Sequence, residues 1–428
     1  MRVPLATDSS DRSLPASGAT SSSTGLPDRL NVLLYTDDPE SGGVAQYNHA
    51  VVCALVRAGY RVTCMQTRAD NPLVAEQRQL GVAHEWIGYH TGQEFTRTLT
   101  DTVDAIRVFR SNRPDLILFS DCCPFSNLAA RQVALRLGIP YVVVVGFVGA
   151  YLARNLDQYL PLLARQHAAA RSVVAVSREN LQLLVNCFRL PAGRGEIIHY
   201  GRPDRFFQPP NPDVRSRLRS TLGIDTQAVV CLTAARLTEV KGFAHQLEAI
   251  KALRANPVWP RLQFVWIGEG EQRSAIESAI AQERLADRIH LPGHRWDAAD
   301  WYDTADIFVL PSHLEGMPLA IMEAMAKRLP VVATGVSGIP EELGDIGELL
   351  PDPATDPAGV VQGLVETIAR WADDPTARAE QGRRGHERAQ LLFREELMAE
   401  RTLALVARGL GRPTAAARQT PAPAAATA

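Results

Sequence analysis

The sequence predicts an α/β protein built from two doubly wound, Rossmann-like domains that face one cleft. Three observations carry that prediction. Short apolar runs alternate with helical segments, the pattern of parallel strands covered on both faces. The alternation breaks once, at Phe207-Gln208-Pro209-Pro210-Asn211-Pro212, and then starts again. The chain has 428 residues, more than a single core usually holds.

Taken from the N-terminus, residues 1–27 are rich in Ser, Ala, Thr and Pro, lack an apolar run, and read as a disordered leader. The first domain, 28–208, has buried strands at 30–35, 62–65, 116–119, 141–145 and 173–176, with helices at 44–58 and 128–137 between them. The uncharged stretch 137–153 falls short of the ~20 residues of a membrane span. With Gly138, Pro140, Gly146 and Gly149 in it, a buried strand and a glycine loop explain it better. The second domain, 209–384, places strands at 229–233, 264–267, 289–291, 307–310 and 331–333. Residues 385–407 read as an amphipathic helix within a segment 385–410, and 411–428 ends in Pro-Ala repeats, a flexible tail.

Composition narrows the function. A net charge of -2 argues against nucleic acid as a partner. The six cysteines show neither zinc spacing nor a secreted disulfide framework; read as reduced, they point to the cytoplasm. Arg154, Arg165, Arg171 and Arg178 leave room for a peripheral contact with the inner membrane surface.

The most informative stretch is Ser312-His313-Leu314-Glu315-Gly316-Met317-Pro318-Leu319-Ala320-Ile321-Met322-Glu323. Pro318, with φ preset and no N–H, fits the first helical position. Met317, Leu319 and Ala320 then offer free amides at the positive end of a helix, where a diphosphate is favoured. Glu315 in the loop and Glu323 inside the helix can accept hydrogen bonds from sugar and ribose hydroxyls. Ala235-Arg236-Leu237-Thr238-Glu239-Val240-Lys241-Gly242 follows a strand and sets two cations in a loop. The chain has only three lysines, Lys241, Lys251 and Lys327, among 45 Lys plus Arg, so a Lys just before Gly242 looks specific. Its ammonium is a compact charge suited to phosphate.

At these residues the chain resembles a nucleotide-sugar-dependent glycosyltransferase of the GT-B fold, family GT4, the large retaining family. Glu315 and Glu323 match the family's E-x7-E motif, Arg236 and Lys241 its diphosphate pair, and Ser41-Gly42-Gly43 its N-terminal glycine loop. Pro311-Ser312, Gly338-Ile339-Pro340-Glu341 and Gly268-Glu269-Gly270 stand where such sequences carry them. The resemblance implies that the last helix crosses back to the first domain. It assigns catalysis to Glu315, Arg236 and Lys241, and donor binding to Gly42, Gly43, Gly268, His294, Arg295, Gly316, Met317, Leu319 and Glu323. His294 and Arg295 would pack the nucleobase. Asp38, His90, Asp121 and Gly146, each near a strand end, are the candidate acceptor contacts.

The implied reaction moves a sugar from a UDP- or GDP-sugar to a polysaccharide, lipid or small glycoside, with no metal and no cofactor beyond the donor. A noncatalytic nucleotide-sugar or glycan binder is the alternative, and a sugar-nucleotide epimerase of the same fold ranks last. Two departures bear on the choice. Many family members carry a His where strand 141–145 leads into Gly146-Phe147, and here none stands. In Ile198-His199-Tyr200-Gly201 the family's Asn before glycine is replaced, and His199 reads as a packed or surface residue. The run Lys327-Arg328-Leu329-Pro330 reads as a solvated turn.

Overall fold

The computed structural model describes residues 29–38, 42–68 and 71–412. The expected leader 1–27, the tail beyond residue 412 and Ser41 of the glycine loop lie outside the described residues. Seven strands make the first sheet: β1 (Asn31–Tyr35), β2 (Arg61–Thr67), β3 (Ala83–Ile87), β4 (Leu116–Asp121), β5 (Tyr141–Val145), β6 (Val173–Ala175) and β7 (Gly195–Ile197). All pair in parallel, in the order β3-β2-β1-β4-β5-β6-β7. The second sheet is built from β8 (Val229–Ala234), β9 (Leu262–Ile267), β10 (Ile289–Gly293), β11 (Ile307–Leu310), β12 (Val331–Thr334) and β13 (Glu348–Leu350), ordered β10-β9-β8-β11-β12-β13. Helices cover both faces, so β1, β4 and β5 are buried at every position and consist largely of Val, Leu and Ile.

The apolar runs find every strand that is covered on both faces, to within two residues at the ends. They miss β3, β7 and β13. These are edge strands, where partly exposed His84, Glu85, Glu196 and Glu348 break any continuous apolar run.

The C-terminal segment differs from expectation. Instead of one helix over 385–407 there are two, Pro375–Leu392 and Glu395–Gly409. The first packs on helix Leu319–Ala326 of the second domain; the other returns to helix Gly43–Arg57 and β5 of the first. The helix breaks because the backbone at the crossing is used elsewhere. Arg202 donates its N–H to the Phe393 carbonyl (2.7 Å), and Glu395 donates to the Arg202 carbonyl (2.9 Å). Lys327 is also misread by sequence: it is buried, with Nζ 2.9 Å from Asp303 Oδ1, and stands in no solvated turn.

One apolar cluster runs from Leu34 in β1 through Tyr200 and Phe206 to Tyr302 and Met322, so the two domains share core beneath the cleft. Strand order reverses between β1 and β4 and between β8 and β11. Crevices at such switch points, beyond the carboxyl ends of the strands, are where doubly wound sheets bind ligands. The motifs singled out above follow β1, β8 and β11. Among the described residues no helix is long and apolar enough to cross a membrane.

Candidate active site

The loop after β11 leads into helix Leu319–Ala326, and Pro318 is its N-cap with ψ 117°, not its first helical residue. Leu319 therefore opens the helix, and its amide and that of Ala320 have no carbonyl within the helix to bond. Glu315 is anchored in the loop. Its Oε1 accepts from Lys241 Nζ at 2.6 Å and from the Ser312 hydroxyl at 2.7 Å, while its amide donates to Ser337 Oγ. Glu323, in the following helix, faces the same cavity with both oxygens engaged: Oε1 lies 2.6 Å from Arg202 Nη2, and Oε2 accepts from the Tyr302 hydroxyl at 2.7 Å.

Arg236 and Lys241 are placed by backbone packed on backbone. Leu237 donates to the Glu269 carbonyl, and His313 donates to the Val240 carbonyl, which ties the loops after β8, β9 and β11 together. Two glycines permit this. At Gly242 (φ 70°) a Cβ would lie 1.9 Å from the Pro311 carbonyl oxygen, and at Gly268 (φ 144°) 1.8 Å from that of Ala235. Any side chain at either position would push these loops apart.

The two domains enclose a cavity of about 530 Å³. Asp38, Gly42, Gly43 and Gly146 line it from the first domain. From the second come Arg236, Lys241, Gly268, His294, Arg295, Glu315, Gly316, Met317, Leu319 and Glu323. The first-domain glycines lie against the second: a Cβ on Gly43 would meet Leu319 Cδ1 at 3.6 Å, and one on Gly316 would lie 2.2 Å from the Gly146 carbonyl oxygen.

Two expected acceptor residues are not there. His90 lies off the cavity and begins a turn, where its carbonyl accepts from the amides of Gln93 and Glu94. Asp121 is buried beneath the floor, 3.3 Å from Arg131 Nη1, and accepts from Asn127 Nδ2 at 2.7 Å. Burial pushes its carboxyl up to about 7, against the pull of Arg131. The neighbouring Cys122 lines the cavity instead.

Sequence reasoning also passed over Arg202, Gln46, Tyr200 and Tyr302. Arg202 bridges the domains, donating to Gln46 Oε1 at 2.6 Å on one side and pairing with Glu323 on the other. A lone Arg in an Arg-rich chain gives no signal of this. His199 joins the domains as well, with Nε2 2.9 Å from Glu341 Oε1. Near Glu315 lies Glu342, fully buried, whose carboxyl oxygens have no partner at normal hydrogen-bond geometry among the described residues. Burial first, and the Glu315 charge second, hold its pKa well above the usual carboxylate range, which favours the protonated form.

The arrangement can take an elongated, anionic, hydroxyl-rich ligand. Two cations and two unbonded helix amides are set where an anion would meet them, and the carboxylates of Glu315 and Glu323 stand to either side. Among the described residues no three His, Cys, Asp or Glu side chains gather as a metal site. Arg236 and Lys241 are cations on the cavity wall.

Comparison with known proteins agrees. Residues 41–204 match a family model described as Glycosyltransferase Family 4, and residues 228–370 one described as Glycosyl transferases group 1. The amylovoran biosynthesis glycosyltransferase AmsK of Erwinia amylovora is 32% identical over 211 residues, 46% of this chain and 48% of that protein. The alpha-maltose-1-phosphate synthase of Mycolicibacterium smegmatis is 27% identical over 307 residues, 65% of this chain and 76% of that one. Other curated relatives are spanned over 32% to 68% of their length, and the first of them over less than two thirds. In fold, the chain superposes on Anabaena HepE in complex with UDP with a TM-score of 0.74 at 17% identity, covering 89% of this chain and 100% of the other.

Proposed function

We propose that this chain, which belongs to the family 4, group 1 glycosyltransferases and has their GT-B fold, moves a sugar from a UDP- or GDP-sugar to a hydroxyl acceptor with retention of anomeric configuration. The observation that carries the reading is the convergence on one interdomain cavity of Arg236, Lys241, the first amides of helix Leu319–Ala326, and the carboxylates of Glu315 and Glu323. The UDP complex of HepE and the nucleotide-sugar chemistry implied by the family motifs support a nucleoside diphosphate at that point.

Transfer demands that charge growing on the β-phosphate be stabilised as the glycosyl bond breaks. Cations and amides fixed before the reaction do this without reorganisation cost. Lys241 is held by Glu315, and Arg236 by the packed loop around Gly268. Glu323, fixed by Arg202 and Tyr302, keeps lone pairs for the ribose hydroxyls, while Glu315 accepts from hydroxyls of the sugar. In a front-face transfer the bond from the anomeric carbon to the leaving phosphate oxygen breaks, and the bond to the acceptor oxygen forms on the same face. The acceptor proton passes to the departing phosphate. The step needs no metal and no further cofactor. The acceptor, a polysaccharide, lipid or small glycoside, enters along Asp38, Cys122 and Gly146, and a peripheral membrane contact would suit a lipid acceptor.

The test is a panel of UDP-, GDP- and ADP-sugars, following release of nucleoside diphosphate, with Arg236→Ala as control. Release from one donor that the control abolishes supports the reading. Tight binding without release, with sugar, lipid and glycoside acceptors supplied, would show a noncatalytic binder instead.

A further inference from the structure

Tyr200 ends the segment that follows β7, and its ring is buried, 5% exposed, with its centroid 5.2 Å from that of Tyr47. The ring packs in the shared core, but its hydroxyl reaches the cavity wall. A Cβ built on Gly146 would lie 2.6 Å from that hydroxyl, 3.2 Å from Val44 Cγ2 and 3.5 Å from the Asp121 carbonyl oxygen. The phenol therefore fills the volume that a side chain at position 146 would need. Gly146 and Tyr200 both line the donor cavity, and the hydroxyl has no hydrogen-bond partner among the described residues. A phenol this deeply set normally has a partner for its O–H. Here the open side is the cavity.

The position says which part of a ligand lies there. Gly316, next to Glu315, touches the Gly146 carbonyl across the cleft, so the hydroxyl stands on the same side of the cavity as the carboxylate that accepts from the sugar. We infer that Tyr200 contacts the donor directly, donating its O–H to a hydroxyl of the transferred sugar, and that it thereby helps select that sugar. The inference rests on the transferase reading above. Burial, then the neighbouring Tyr47, Cys122 and Asp38, keep the phenol protonated far above neutral pH, so it remains a donor over the working range.

The test is Tyr200→Phe in the full chain, which keeps the ring and removes only the oxygen. For the nucleotide sugar that the wild type turns over, kcat/KM should fall about tenfold, the scale of one lost hydrogen bond to a neutral partner. Affinity for the matching bare nucleoside diphosphate should stay unchanged. A merely structural role would move both, and the melting temperature with them. Within a set of deoxy-sugar donors, one should lose the same factor with the wild type and be indifferent to Tyr200→Phe. Gly146→Ala should impair the wild type by displacing the hydroxyl, and add little in the Tyr200→Phe background. Equal kcat/KM for both proteins on the sugar nucleotide overturns the inference and leaves the transferase reading standing. Absence of turnover by the wild type removes both.

Discussion

Replacing Arg202 by Met should loosen the joint between the domains. The substitution keeps the aliphatic stem over Phe206, whose ring lies 4.8 Å from the guanidinium carbon. It removes the pair to Glu323 and the bond to Gln46. Arg202 and Glu323 side chains are only 4% and 9% exposed. Breaking a pair that deeply placed costs about 3 to 5 kcal/mol when one charge is left behind. The lower end applies, because Tyr302 still donates to Glu323 and the carboxylate borders a cavity. The lost bond to Gln46 adds about 1 kcal/mol, for a total near 4. The assay is denaturant unfolding of Arg202→Met, Glu323→Gln and the double variant, followed by tryptophan fluorescence and far-ultraviolet dichroism together. Coincident curves license free energies in a two-domain chain. The cycle should give a coupling of about 2 to 3 kcal/mol for the contacting pair. A loss under about 1 kcal/mol for Arg202→Met, or an equal loss in the Glu323→Gln background, refutes the account.

Three further outcomes are expected. Glu315→Ala and Lys241→Ala should each lower turnover by about 10² to 10³ with the fold retained, the scale of losing one preorganised stabilising group; wild-type turnover in Glu315→Ala sinks the role given to that residue. Glu342 has a folded pKa above its ordinary 4.5 because of burial and the Glu315 charge, so the folded chain holds that proton more tightly than the unfolded one. Its contribution is fully present below about 4.5 and is lost as the pH rises above that value. Glu342→Gln, which cannot ionise, should therefore gain stability relative to the wild type between pH 5 and pH 8 in parallel melts. Gly316→Ala sets a Cβ 2.2 Å from the Gly146 carbonyl oxygen and should hold the cleft open, lowering transfer while the melting temperature of each domain stays near the wild type.

Much of the fold was legible because burial on both faces of a parallel strand leaves an unbroken apolar run, and β1, β4, β5, β8 and β11 all carry one. The edges β3, β7 and β13 were not, since an open side tolerates charged residues such as Glu85, Glu196 and Glu348 in the run; the edge strand β10 keeps Ile289 and Leu291 and was read. Lys327 shows the same limit for charge. In sequence a Lys-Arg pair after a helix reads as solvent-exposed, and only the approach of Asp303, from a segment remote in the chain, makes burial tolerable.

The site divides in the same way. Glu315 with Glu323, and Arg236 with Lys241, were readable because each pair sits on one short segment whose local geometry, a loop running into a helix, follows from the residues themselves. Asp121 and His90 were placed in the cleft by proximity to strand ends, yet the side chain of one turns under the sheet toward Arg131 and the other lies in a turn away from the cavity. Arg202, Gln46, Tyr200 and Tyr302 came to light only with the tertiary structure. Each acts on residues far away in the chain, so no local pattern records it. The sequence by itself determined two parallel sheets and the segments after β1, β8 and β11 that line the cavity. The packing of one domain on the other decided which groups hold Glu323, what fills the space at Gly146, and how the cleft closes, because those depend on distances between segments that no short stretch encodes.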